Sequence, residues 1–162
     1  LADVIGGFVD GVKGVSLGAI ILALAVTLGR VSGSLGTAGF LIRTTSEIIS
    51  PAFLPAIFML ICMLIAFAVG SSWGPYAVVF PIAMPLAWAV SPDPFFITLC
   101  FGAVLGGAVY GDQCSPISDT TILSSLATGS DHMDHVTTQM PMASVAAGIG
   151  AVLYTLIALI VL

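Results

Sequence analysis

Long apolar runs, separated by short polar islands, organise this chain. Residues 48–70 are apolar almost throughout and predict a full membrane span, with Pro51 and Pro55 near its start, where proline is tolerated. Residues 137–162 predict a second one. Residues 15–29 are apolar but short for a crossing, which needs about 20 residues, and the Gly-rich stretch 1–14 before them reads as an amphipathic lead-in, with Asp10 and Lys13 placed to pair across one helical turn. Between the two spans lie shorter apolar arms at 76–90, 95–110 and 116–127. Pro81 and Pro85 interrupt the first of these, and Ser91-Pro92-Asp93-Pro94 reads as the turn after it. Gly102 and Gly106, four apart in the second, have the spacing that lets helices approach closely.

Two polar interruptions share one design. Gly-Ser-Ser-Trp-Gly-Pro (70–75) and Gly-Asp-Gln-Cys-Ser-Pro (111–116) each lie between apolar arms and end in a proline suited to the first position of a new helix. Non-helical backbone at membrane depth is tolerated only where protein buries it or where it lines a watery cavity. Paired Gly/Pro-interrupted apolar segments are the sequence signal of a transporter's midplane site. The predicted fold class is therefore all-α: a polytopic integral membrane protein with interrupted transmembrane helices or re-entrant hairpins, one transmembrane domain over 1–162.

Composition supports that class. The chain is 59% hydrophobic and 7% charged, against about 25% charged residues in soluble domains, and its mean hydropathy is +1.19. So much apolar surface must face lipid. The net charge of −5 is spread too thinly for nucleic-acid binding. Cys62, Cys100 and Cys114 follow neither a disulfide nor a zinc pattern. Arg30 and Arg43 put the polar stretch 30–46 on the cytoplasmic side by the positive-inside rule, and Glu47 reads as interfacial at the start of its span. The chain opens without Met and ends inside an apolar run, which reads as a piece of a longer polytopic protein.

The second interruption carries the chemistry. Asp112 and Asp119 sit where each charge costs roughly 2.5–3.5 kcal/mol on insertion scales, and intramembrane carboxylates mark ion, proton or substrate pathways by default. Ser115 stands before Pro116 as an N-cap would, its hydroxyl placed to accept from Ile117 or Ser118. Ser118, Thr121 and Ser125 follow helical spacing on one face. Asp112, Ser115, Ser118, Asp119, Thr120 and Thr121 thus gather hard oxygen donors suited to Na⁺, Li⁺ or H⁺ rather than to soft metals, with Ser71 and Ser72 offered from the other interruption. The bland alternative is that both aspartates cap half-helices or pair with basic residues elsewhere. Asp131-His132-Met133-Asp134-His135 could ligate a metal, but reads more simply as a solvated turn capping the last helix. An aspartyl protease dyad does not fit: Asp112 and Asp119 are only seven residues apart, and position 109 is Val where a Gly-x-Gly-Asp pattern needs Gly.

Gly111 to Ser125, Phe67-Ala68-Val69-Gly70-Ser71-Ser72-Trp73-Gly74, and Asp131 to Val136 with Thr138-Gln139-Met140-Pro141 together resemble, in order, the signature stretches of the NhaC-type Na⁺/H⁺ antiporter family. Ser71 departs mildly, where the family often has Thr. The resemblance implies a bacterial or archaeal cell-membrane transporter exchanging cytoplasmic Na⁺ for external H⁺. Relatives that exchange malate and lactate, or amino acids, make a Na⁺-coupled exchanger of small organic acids or amino acids the alternative. Na⁺ and H⁺ are then substrates, with no cofactor and no ATP motif. The expected partners are the bilayer, the remainder of the longer chain, a small carboxylate in the alternative, and a second copy if the protein is a homodimer.

Overall fold

The computed structural model describes residues 2–37, 39–40, 43 and 50–162. All regular structure among the described residues is helical: α1 (Ala2–Ser34), a 3-10 turn (Pro51–Phe53) leading into α2 (Leu54–Val69), α3 (Trp73–Val90), α4 (Pro94–Cys114), the short α5 (Asp119–Thr128) and α6 (His132–Val161). Four stretches are long and apolar enough to cross a membrane, Pro51–Val69, Trp73–Val90, Pro94–Cys114 and His132–Val161. The chain is a multi-pass helical membrane protein.

Four expectations about the helices need correction, two of them, in the span-length α3 and α4, for one physical reason. The lead-in and the short apolar run are a single helix, α1, and Gly6, Gly7 and Gly11 do not break it. Pro81 and Pro85 do not interrupt α3, which runs through both. The second interruption is not at 111–116: α4 continues through Gly111, Asp112 and Gln113 to Cys114, and only Ser115–Ser118 leave the helix. In hydrocarbon, a broken turn exposes backbone groups that water cannot satisfy. A helix is thus retained across residues that would end it in water, even at about 3 kcal/mol for an internal proline. The fourth correction concerns the last span. It starts at His132 instead of 137, because Asp131 caps it, accepting from Met133 N at 2.9 Å and Asp134 N at 3.1 Å. The Asp10 side chain and Glu47 lie outside the described residues.

Packing centres on α2 and α4, which meet along the face of Ala103, Gly107 and Gly111. A Cβ on Gly107 would overlap the Met59 carbonyl, and one on Gly111 would lie 2.5 Å from Ala66 Cβ and Met63 O. The close-approach pair is therefore Gly107/Gly111, not Gly102/Gly106: Gly102 faces the Tyr154 hydroxyl, and Gly106 has open space beside it. This backbone-to-backbone contact brings the C-terminal ends of α2 and α4 together. α3 covers one flank, joined to α4 by a ladder of rings, with Tyr76 stacked on Phe80 at 5.6 Å and Phe80 on Phe101 at 4.8 Å. α6 packs on the other. Cys62, Cys100 and Cys114 are free and buried in this interior.

Gly107→Leu or Gly111→Leu should lower the unfolding temperature of the purified protein, because overpacking costs about 1–3 kcal/mol. Gly106→Ala should leave it unchanged or raise it, by up to about 1 kcal/mol from helix propensity.

Candidate functional site

The two interruptions meet. Gly70, at φ 70°, ends α2, and a Cβ there would lie 2.8 Å from the carbonyl carbon and oxygen of Ile117. Only glycine satisfies both the left-handed backbone and the close approach. Across the same junction Ser115 Oγ donates to the Phe67 carbonyl at 2.8 Å, giving a partner to one of the α2 carbonyls that the end of the helix leaves without an N–H. Ser115 also accepts from Ile117 N at 3.3 Å, the local cap expected from the sequence, although the helix itself begins later, with Ser118 as the residue before its first turn.

Each remaining hydroxyl has its own role. Thr121 Oγ1, buried, reaches the carbonyls of Asp112 and Gln113 at 3.2 Å each, serving the C-terminal end of α4 as Ser115 serves α2. Ser118 Oγ, fully buried, donates to Asp112 Oδ1. Thr120 Oγ1 lies 3.0 Å from the same Oδ1 and 2.7 Å from Ser118 Oγ. Three oxygens from three residues thus close a triangle around one carboxylate atom. Among the described residues nothing donates to Asp112 Oδ2. Among the described residues no buried side-chain polar atom lacks a partner, so Oδ2 is open to solvent or to an arriving cation.

The predicted residues divide accordingly. Asp112, Ser118 and Thr120 form one cluster, and Ser115 and Thr121 frame it by holding the helix ends. Asp119 is exposed at the first position of α5, its carboxylate accepting from Thr120 N at 2.9 Å. Ser71 accepts from Trp73 N at 3.3 Å, and no hydrogen bond among the described residues carries Ser71 or Ser72 to the Asp112 cluster. The placement of Gly70 against Ile117 nevertheless sets this interruption directly beside the other.

Sequence reasoning missed a brace. His132, half-buried in the first turn of α6, has Nε2 2.7 Å from the Pro116 carbonyl and Nδ1 3.3 Å from Ser125 Oγ. A carbonyl only accepts, so Nε2 carries the proton. The ring ties the interrupted segment to both α5 and α6. The only signal was the polar face of Ser118, Thr121 and Ser125, all three of which are buried.

Among the described residues the fold is all-helical and multi-pass, with a carboxylate held beside two abutting helix interruptions. The sequence profile of the Na⁺/H⁺ antiporter family matches residues 1–159, and the chain belongs to that family. Three relatives place it further. An uncharacterized protein of Haemophilus influenzae is 39% identical over 90% of this chain and 28% of its own length. The malate-2H⁺/Na⁺-lactate antiporter of Bacillus subtilis is 32% identical over 90% of this chain and 31% of its own. The Na⁺/H⁺ antiporter NhaC of Alkalihalophilus pseudofirmus is 33% identical over 83% and 28%. The chain spans less than a third of the length of these curated relatives. No solved structure matches it. Family and fold make this a multi-pass protein of the cell membrane and put it with transporters rather than enzymes.

Ser115→Ala leaves the Phe67 carbonyl without its donor. The expected loss is about 1–3 kcal/mol, read as a lower unfolding temperature in detergent. His132→Leu should destabilise the protein similarly by stranding the Pro116 carbonyl.

Proposed function

We propose that the whole protein exchanges Na⁺ for H⁺ across the cell membrane and that Asp112 is the group for which the two ions compete. The carrying observation is the carboxylate with one oxygen held by Ser118 and Thr120 and the other open. A Na⁺ ion arriving at Oδ2 meets hard oxygen donors. The Ser118 and Thr120 hydroxyls can turn lone pairs toward it, since both are rotatable and amphiprotic. A proton on Oδ2 removes the negative charge that holds the cation. Occupancy by one therefore expels the other, and alternation of access converts that competition into exchange. No catalytic step and no resident cofactor enters this scheme.

Asp119, exposed at the α5 N-terminus, adds a second negative charge close to the cluster without joining it, and raises the local cation concentration. Ser115 and Thr121 keep the helix ends in place, so that the oxygen triangle is set before an ion arrives. Ser71 and Ser72 lie on the abutting interruption, where a shift of α3 would bring their hydroxyls to the site or take them from it.

A second reading rests on a specific relative, the malate-2H⁺/Na⁺-lactate antiporter at 32% identity. There the same carboxylate would hold Na⁺ or H⁺ beside a small organic acid.

In everted vesicles carrying the full-length protein and a pH-sensitive dye, added Na⁺ should evoke proton movement. Asp112→Asn should abolish it, and Asp119→Asn should raise the Na⁺ concentration for half-maximal response several-fold. A full response in Asp112→Asn would overturn the site assignment. Flux that requires malate or lactate in addition to Na⁺ would select the second reading.

A further inference from the structure

Beside the Asp112 cluster lies a cavity of about 210 Å³, lined by Gln113, Thr120, Thr121, Ser124, His135 and Gln139. Every one of these residues is polar, in a chain that is 59% hydrophobic. Three elements supply them: the end of α4, the polar face of α5 and the first two turns of α6. Thr120 and Thr121 already use their hydroxyls on Asp112 and on the α4 carbonyls. The side chains of Gln113, Ser124, His135 and Gln139 make no hydrogen bond among the described residues. Four polar side chains without protein partners converge on one space. Placed against hydrocarbon each would be costly, and the space they share suits water or solute. At about 30 Å³ per water molecule, it takes several.

We infer that this cavity is the hydrated vestibule through which Na⁺ reaches Asp112, lined by Gln139 and His135 from α6 and by Ser124 from α5. The inference rests on the proposed exchange of Na⁺ at Asp112. Thr120 is the shared wall, for it lines the cavity and its Oγ1 is 3.0 Å from Asp112 Oδ1. Among the described residues no carboxylate lines the cavity itself. Two amides, a hydroxyl and an imidazole replace part of an ion's water shell without trapping it, as conduction toward a deeper site requires. The Asp112 carboxylate lies beyond Thr120. α5 is built for this boundary: Thr120, Thr121 and Ser124 face the cavity, while Leu123 and Leu126 point outward at 64% and 72% exposure. Of the lining residues, Thr120 and Thr121 are among the ion-site residues that the sequence predicts.

The test introduces Ser124→Cys and Gln139→Cys separately into the full-length protein with Cys62, Cys100 and Cys114 replaced by Ala, alongside Leu123→Cys and Met142→Cys as outward-facing controls. Vesicles are treated with a membrane-impermeant, charged thiol reagent in Na⁺ or in choline. The expected result is labelling of Ser124→Cys and Gln139→Cys, slowed several-fold by Na⁺, with the controls unreactive. If both cavity positions are as unreactive as Leu123→Cys in a protein that still transports, the vestibule is refuted and the antiport reading stands. Labelling equal in Na⁺ and choline would disconnect the cavity from the ion site. Protection by malate or lactate but not by Na⁺ would assign the cavity to a carboxylate instead.

Discussion

Backbone carbonyls freed where helices end against buried neighbours need donors from the protein, and this structure is arranged around that requirement. α2 and α4 both end in this way, and side chains complete their last turns. Ser115 supplies a proton to Phe67 O, Thr121 supplies one shared between Asp112 O and Gln113 O, and His132 supplies one to Pro116 O. Those three side chains come from three different elements. Satisfying the helix ends therefore also fixes how the interruption, α5 and α6 sit against one another.

The same requirement shapes the charge chemistry. Because Ser115 and Thr121 serve the backbone, Asp112 is left with two hydroxyls on one oxygen and none on the other. A carboxylate fully hydrogen-bonded by the protein would hold its charge without needing a cation. One oxygen held and the other open leaves room for a cation at Asp112 Oδ2. The backbone contact at Gly107 and Gly111 supports it from behind, by fixing α4 to α2 one turn and less before Asp112.

Much of the architecture was legible in the sequence, because hydropathy reports lipid exposure directly. The apolar run 48–70, the turn at Ser91–Pro94 and the polar island all correspond to elements of the fold. Helix punctuation was less legible. Gly111 reads as the start of a break and is instead a packing glycine, since one residue type serves both purposes and only the neighbouring helix decides between them. Pro81 and Pro85 mislead for a related reason: rules calibrated in water overstate what proline does where no solvent waits to take the freed carbonyl. Within the site, residue types revealed hard-oxygen chemistry but not the division of labour, because whether a serine serves a carbonyl or a carboxylate depends on which helix end lies across from it. His132 and His135 read as part of a connecting turn and Gln139 as the start of the last span, and none of the three reads as a wall of the site; the early start of α6 sets them beside it.

The central claim is that Asp112 holds Na⁺ in competition with a proton. Thermal unfolding of the purified full-length protein, with Na⁺ or choline at two pH values, tests it without relying on transport. Ligand at about 100 times its Kd adds about 2.7 kcal/mol to stability, so Na⁺ should raise the unfolding temperature of the wild type, more at the higher pH, and leave Asp112→Asn unmoved. An equal Na⁺-dependent rise in Asp112→Asn would contradict the account.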